Sequence, residues 1–227
     1  MIKTIPTYIE HPLVHFRQRY DWDCGLSCIL MLLGRNERRL FLNDFKDICQ
    51  KNGFGESTWT IDLCYLLKDF GIEHKYLTIT FGANPSHLGK EYYKCFNDDE
   101  KRVNEKFHNA NNHGIFVETK SVSCDDLIQH LGSYGNIILL TSASLLYCDL
   151  CKVNKLSMEL RSCLGLKSTY MGHYVILCGY DKRIQKFLYR NPALKDKICF
   201  MSFEAMDRAR KASGTDEDII LLYDKLL

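Results

Sequence analysis

The sequence lacks several features that would mark a chain as modular, fibrous or disordered. It has four prolines in 227 residues, and no internal repeat, low-complexity tract or linker rich in proline, glycine and serine. Because no composition shift offers a boundary, we expect one domain over residues 1–227. A chain of this length with 46% apolar residues can bury a hydrophobic core of its own.

Strong charge of one sign and long apolar runs are also missing. Thirty basic and 28 acidic residues leave a formal net charge of +2, which is too small to follow a phosphate backbone, so no nucleic-acid partner is expected. No run approaches the ~18 apolar residues of a membrane helix, and MIKTIPTYIEHPLV lacks the apolar segment of a signal peptide. We therefore expect no membrane partner and a location in the cytoplasm, with the nucleus as a second compartment.

Cysteine, by contrast, is abundant, with eleven residues and no obvious disulfide framework. In a reducing compartment most of these thiols are expected to be small core residues. Cys148 and Cys151 form a C-x-x-C motif and Cys163 follows, but no fourth zinc ligand stands at the usual spacing. We therefore expect neither a metal nor another cofactor, and a redox role for the Cys148 and Cys151 pair stays open.

Local patterns divide the chain into a helical first half and a strand-rich second half. Polar starts and glycine stops predict helices over 24–33, 43–52 and 61–70. A strand over HKYLTIT and a helix carrying Val103 and Phe107 follow, and Ser123 with Asp126 form a capping box for the next helix. The runs NIILLTSASLLY, HYVILCGY, KFLYRN and DIILLY are typical of strands. The pattern predicts an α+β fold, with N-terminal helices packed on a largely antiparallel sheet.

The stretch HFRQRYDWDCGLSCILMLLG, residues 15–34, contains the first candidate site residues. Cys24 stands at a helix start, where unpaired backbone N–H groups and the helix dipole favour a nucleophilic thiolate. Gln18, six residues earlier, offers a side-chain amide that with the Cys24 N–H would form an oxyanion hole. Gly25 would leave room for a substrate carbonyl. The alternative is a buried cysteine beside a surface glutamine.

A thiol nucleophile needs a base, and YMGHYVILCGYDKRIQKFLYRNPA supplies a candidate. His173 follows a glycine at the start of an apolar strand, and the turn near Arg183 folds the next strand back. That hairpin places Asn191 opposite residue 175 or 176, close to His173, where its amide oxygen would orient the imidazole. Taken singly, the two residues would be a strand-end histidine and a turn signal before Pro192.

These residues, in this order, resemble those of papain-type cysteine peptidases, above all the bacteriocin-processing peptidases. Cys24 lies in DCG, His173 in GHY and Asn191 before a proline, with separations of 149 and 18 residues. The segments HFRQRYDWDCGLSC, STWTIDLCYLLKDFG, LLYCDLC, GHYVILCGYD and ARKASGTDEDIILLY also resemble the eukaryotic guanylyl cyclase domain-containing protein family over essentially the whole chain.

The resemblance implies a papain-like fold and a role for each candidate. Cys24 would be the nucleophile, His173 the base, Asn191 the orienting residue and Gln18 the oxyanion donor. The function implied is a thiol-dependent hydrolase or acyl transferase acting on amide or peptide bonds, with a peptide or protein as its partner. Many bacteriocin-processing enzymes carry aspartate in the third position, so Asn191 departs from them and supports the imidazolium less strongly.

Two alternatives stay open. The family name suggests a guanylyl cyclase that converts GTP to cyclic GMP, a reaction that needs metal-binding carboxylates or a phosphate cradle. CLGLKST lacks the spacing of a phosphate loop, and Asp216, Glu217 and Asp218 resemble a solvated turn ahead of a strand. The other alternative is a binding module that keeps the cleft without turnover.

Overall fold

The computed structural model describes residues 5–55, 57–87, 96–150 and 170–223. Its α-helices are α1 (Cys24–Leu32), α2 (Arg35–Asn43), α3 (Phe45–Asn52), α4 (Thr60–Asp69), α5 (Phe96–Asn109), α6 (Cys124–Ser133) and α7 (Phe203–Arg210). Its strands are β1 (Tyr8–Glu10), β2 (His74–Thr78), β3 (Phe116–Thr119), β4 (Ile137–Ser142), β5 (Gly172–Asp181), β6 (Lys186–Arg190), β7 (Cys199–Ser202) and β8 (Ile219–Leu222).

Two of the predicted helix signals act where the sequence places them, but the predicted start at residue 43 is wrong, because Asn43 ends α2 and α3 begins at Phe45. Helix α3 ends at Gly53, whose φ of 79° is in the left-handed region that glycine tolerates. Helix α6 begins with the predicted capping box, in which the Asp126 N–H donates to Ser123 Oγ and the Ser123 N–H donates to Asp126 Oδ2. Helix α2 was not predicted; it begins directly after Gly34, whose N–H donates to Glu37 at 2.8 Å.

The strands form one sheet in the order β3-β2-β8-β4-β5-β6-β7. Strand β1 pairs with the C-terminal end of β5, where Tyr8 lies opposite Asp181. Among the described strands β2 and β3 pair in parallel and every other pairing is antiparallel. The predicted largely antiparallel sheet is therefore confirmed. Strands β1 and β2 come from the first half of the chain, so the sheet is not confined to the second half.

Helices cover both faces of this sheet. Ile138 and Leu140 of β4 belong to the apolar cluster that contains residues of α1 and α4. The alternate β4 residues, Ile137 and Leu139, belong to a second cluster with residues of α6 and α7. A strand buried on both faces favours apolar residues at successive positions, which is why residues 137–140 of β4 form a continuous apolar run in the sequence.

The α+β class is thus confirmed, and the layered arrangement differs from a sheet covered only by N-terminal helices. Helices α6 and α7, from the second half of the chain, pack on the face of the sheet opposite α1 and α4. Within the described segments, no helix is both long and apolar enough to cross a lipid bilayer.

Candidate functional site

Cys24 is the first residue of α1, as predicted, and Asp23 directly before it holds the preceding loop. The Asp23 carboxylate does not cap the helix; it accepts hydrogen bonds from the backbone N–H groups of Arg19 and Tyr20, both at 3.1 Å. These contacts fold the loop that carries Gln18 back towards the helix start. The first-turn N–H groups of α1 therefore receive no side-chain cap from Asp23 and keep their capacity to bind a developing negative charge.

The Cys24 thiol lies against the start of β5. The Tyr174 N–H donates to Cys24 Sγ at 3.5 Å, and Cys24 is 2% exposed. Burial raises the pKa of this thiol to about 11, although the N–H groups of Tyr174 and Gly25 act in the opposite direction. The expectation of a resting thiolate is wrong for this structure, because desolvation of the charged form outweighs the favourable end of the helix.

His173 and Asn191 are joined directly. His173 Nε2 lies 2.8 Å from Asn191 Oδ1, and the same oxygen accepts from the Ala193 N–H at 3.0 Å. Since Asn191 Oδ1 accepts both bonds, Nε2 carries the ring proton and Nδ1 is the basic nitrogen of the neutral imidazole. Burial lowers the His173 pKa, so the ring is neutral at neutral pH.

The strand register explains this contact. The pairing of β5 with β6 reaches Ile176 opposite Arg190, with an irregularity between Leu177 and Gly179. Asn191 is the next residue after this pair and therefore lies level with residue 175, as the hairpin predicted. The meeting of the two side chains thus follows from a turn and a register that are encoded locally.

Gln18 is held beside the segment that follows Asn191. Its backbone N–H donates to the Pro192 carbonyl at 2.9 Å, and its side-chain Nε2 donates to the Tyr20 carbonyl at 2.9 Å. One of the two amide hydrogens is used in the latter bond, which leaves the second for a ligand. The oxygen Oε1 is buried and has no hydrogen-bond partner in the described part of the chain.

Three hydrogen bonds therefore bring all four predicted residues onto adjoining segments: Cys24 with Tyr174, His173 with Asn191, and Gln18 with Pro192. Within the described residues, no hydrogen bond joins Cys24 Sγ to the His173 ring. The structure places the candidates together, and their chemical roles remain predictions.

Gly25 allows close helix packing and does not leave the room for a substrate that was expected. A Cβ at Gly25 would lie 2.8 Å from Leu63 Cδ1 and 3.1 Å from Tyr174 Cδ2. The glycine therefore lets α1 approach α4 and β5 closely, and its bare side faces the core. The proposal that Gly25 leaves space for a substrate carbonyl is wrong, because the space beside it is already filled by protein.

The acidic segment ahead of β8 is also not a simple solvated turn. Asp218 is only 8% exposed and accepts a hydrogen bond from Thr60 Oγ1 at 2.5 Å. It lines a cavity of about 10 Å³ together with Asp216 and Tyr174, which has room for one water molecule and not for a nucleotide. Sequence reasoning missed Thr60 and Tyr174 at this point, because no local motif links residues so distant in the chain.

The cysteine and phosphate-binding motifs add little to the described site. Cys148 is buried. Cys151, Cys163 and the CLGLKST segment lie outside the described residues, which resume at Tyr170. Among the residues that the structure describes, no group of three or more histidine, cysteine, aspartate or glutamate side chains is arranged to hold a metal ion.

The described chain is thus a mixed α+β protein whose candidate site lies where the start of α1 meets β5 and β6. Comparison with known proteins adds the family: the guanylylate cyclase family model matches residues 13–222, and the chain belongs to that family. It is 38% identical over 223 residues to the protein named Guanylyl cyclase 1 from Arabidopsis thaliana, an alignment that covers 96% of this chain and 78% of the relative. The predicted resemblance to the guanylyl cyclase domain-containing family is confirmed, whereas these comparisons do not show a relation to papain-like peptidases.

Proposed function

We propose that the site at the start of α1 catalyses thiol-dependent acyl transfer, with Cys24 as the nucleophile. The observation that supports this most directly is the 2.8 Å contact between His173 Nε2 and Asn191 Oδ1. It makes Nδ1 the basic nitrogen of a residue whose chain neighbour, Tyr174, donates its N–H to Cys24 Sγ. A papain-like arrangement of nucleophile, base and orienting amide is the interpretation that uses all of these contacts.

The resting state of this site would be a neutral thiol beside a neutral imidazole. Cys24 Sγ would attack the carbonyl carbon of an amide or ester while its proton passes to His173 Nδ1, and the carbonyl π electrons would move onto oxygen. Collapse of that tetrahedral species expels the amine or alcohol, which takes the proton from His173. The acyl group on Cys24 is then transferred to water or to an amine.

The oxyanion of that intermediate would be stabilised from two directions. The backbone N–H of Cys24 belongs to the uncapped first turn of α1, and the second amide hydrogen of Gln18 is not used by Tyr20. Donors of this kind act on charge that develops only during the reaction. Asn191, as a neutral acceptor, would orient His173 without supplying the charge that an aspartate provides.

Guanylyl cyclase activity is the second candidate, and the names of the family and of the 38% identical relative support it more directly than they support thiol chemistry. In such a reaction the ribose 3′-hydroxyl of GTP attacks the α-phosphorus and pyrophosphate leaves. The cavity beside Asp216 and Asp218 is too small for a nucleotide as it stands. A binding module that keeps the cleft without turnover is the third possibility.

One set of incubations separates these candidates. The purified protein is given GTP with Mg²⁺ or Mn²⁺, and cyclic GMP is measured by mass spectrometry; a peptide and ester library is screened in parallel. Wild type is compared with Cys24→Ala and with Cys49→Ala, a matched change at another buried thiol. Release from a library member that depends on Cys24 and not on Cys49 supports acyl transfer. Cyclic GMP formed equally by wild type and Cys24→Ala would establish the cyclase and overturn the thiol proposal.

A further inference from the structure

A chain of hydrogen bonds runs from a buried carboxylate to the residue that contacts Cys24. Asp218 Oδ2 lies 2.5 Å from Thr60 Oγ1, and Thr60 Oγ1 lies 2.8 Å from the Tyr174 hydroxyl. That hydroxyl also reaches the Thr58 carbonyl at 3.3 Å. The chain joins the segment before β8 to the start of α4 and to β5, three elements that are far apart in sequence.

The direction of this chain depends on whether Asp218 carries a proton. With Asp218 ionised, Thr60 donates its single hydroxyl proton to the carboxylate and Tyr174 donates to Thr60. With Asp218 protonated, Asp218 donates to Thr60, Thr60 donates to Tyr174, and Tyr174 must turn its proton to the Thr58 carbonyl. Each arrangement uses the hydroxyl protons of Thr60 and Tyr174 once, so the two are alternative directions of the same hydrogen-bond chain.

The two networks make different demands on Tyr174. The Thr58 contact is 3.3 Å long, which is weak for a hydroxyl donor, whereas the Thr60 contact is 2.8 Å. The Tyr174 hydroxyl thus has both partners within reach, and its shorter contact is with Thr60. Protonation would draw the Tyr174 hydroxyl towards Thr58, and the backbone of the same residue donates to Cys24 Sγ at 3.5 Å.

We propose that Asp218 is a positioning residue for Cys24, acting through Thr60 and Tyr174 to set how the start of β5 meets the thiol. The inference deepens the proposed thiol function, on which its relevance to turnover rests. Asp218 does not touch Cys24, and its effect is transmitted by the hydrogen-bond chain.

The titratable groups around Asp218 determine the pH at which the hydrogen-bond chain reverses its direction. Burial raises the pKa of Asp218 to about 7 and the Asp216 charge raises it further, whereas hydrogen bonds with Thr60, Thr78 and Tyr76 act in the opposite direction. Tyr76 on β2 and Cys64 on α4 also face this carboxyl, and burial holds both of their pKa values well above the usual range, so they stay neutral. Asp218 is therefore the group of this set that changes charge near neutral pH.

The test is the pH dependence of Cys24 alkylation by iodoacetamide, measured by peptide mass spectrometry on the whole protein between pH 5.5 and 9. The rate of Cys24 alkylation rises steadily with pH as the thiolate fraction grows. In wild type we expect this rate to depart from that steady rise by at least about twofold near pH 7, and we call this departure the displacement. Thr60→Ser keeps the hydroxyl and should keep the displacement. Thr60→Val matches threonine in shape, breaks the chain and should abolish it.

Two aspartate variants sharpen this comparison. Asp216→Asn removes a negative neighbour of Asp218 and should move the displacement to lower pH without removing it. Asp69→Asn, at an exposed ion pair with Lys51, is the matched control and should reproduce the wild-type profile. A merely structural role for Asp218 predicts neither the shift with Asp216→Asn nor the contrast between the two Thr60 variants.

A wild-type profile without a displacement near pH 7, or superimposable profiles for Thr60→Val and Thr60→Ser, would overturn the inference. His173→Ala separates it from the proposed function. A displacement that persists while Cys24 reactivity is indifferent to His173 supports the positioning role and removes the acyl-transfer mechanism. If Cys24 reactivity depends on His173 but shows no displacement near pH 7, the acyl-transfer mechanism is supported and the positioning role of Asp218 is removed.

Discussion

His173 Nε2 and Asn191 Oδ1 lie 2.8 Å apart, and this contact determines which nitrogen of the histidine is basic. The Asn191 oxygen also accepts the Ala193 N–H, which fixes the orientation of the amide. The proton of neutral His173 is therefore held on Nε2, and Nδ1 keeps its lone pair. In a site that starts from an uncharged thiol, a basic nitrogen of defined position is the main requirement for proton transfer.

The first prediction concerns that base. His173→Ala should slow acylation of Cys24 by p-nitrophenyl acetate by about 10²-fold to 10⁴-fold, the usual contribution of a positioned general base. Asn191→Ala should slow it less, since it removes the orienting contact and leaves the imidazole. Acylation is followed by nitrophenol release and intact mass, and His108→Ala, an exposed histidine on α5, is the control. Equal rates for the His173 and His108 variants would contradict the assignment.

The second prediction concerns the charge state of the resting thiol. Since burial raises the Cys24 pKa to about 11, its alkylation rate should rise through alkaline pH, by about tenfold per pH unit well below the pKa. A stable thiolate and imidazolium pair would behave differently and give a plateau of high reactivity below neutral pH. Peptide mass spectrometry after a limiting dose of iodoacetamide distinguishes the two, and an acidic plateau at Cys24 would refute the neutral pair.

The third prediction tests the close packing of α1. Gly25→Ala places a methyl group 2.8 Å from Leu63 Cδ1, so it should lower the free energy of unfolding by about 1–3 kcal/mol. Gly55→Ala is the matched control, because no described residue lies within 4 Å of a Cβ there. Urea denaturation followed by circular dichroism measures both. If the two variants are equally stable, α1 does not need a glycine for this contact.

The fourth prediction is the pH dependence of stability due to Asp218. Its folded-state pKa of about 7 lies above its usual value of 3.8, so between these limits the folded protein holds a proton that the unfolded chain has released. The free energy of unfolding from this residue therefore falls as pH rises from about 4 to 7, and is constant above that range.

Comparison of wild type with Asp218→Asn isolates this contribution. Burial also raises the pKa values of Asp23 and Asp62, so the wild-type curve alone contains several residues. The free energy of unfolding of wild type minus that of Asp218→Asn should fall steadily from pH 4 to 7 and then stay level. A difference that is independent of pH would show that Asp218 is ionised throughout.

Local chemistry in the sequence was enough to predict much of the framework. The Ser123 and Asp126 capping box and the stop at Gly53 involve groups within one helical turn, so the residues themselves specify them. The β5 to β6 hairpin is also local, and it alone places His173 near Asn191. For this reason the contact between His173 and Asn191, on which their proposed roles depend, was predictable before any fold was known.

Burial and long-range packing were not determined by those signals. Asp218 is followed by an apolar strand and looks like part of a solvent-exposed turn, yet it lies under α4 and bonds Thr60, 158 positions away in sequence. Gly25 borders the proposed nucleophile, but the side chains that require it to be a glycine come from α4 and β5. The Cys24 pKa likewise depends on how completely distant elements exclude water. Sequence patterns therefore determined the local elements and the choice of candidate residues, whereas the tertiary structure decided the solvation of those residues, because desolvation is set by everything that packs around a group.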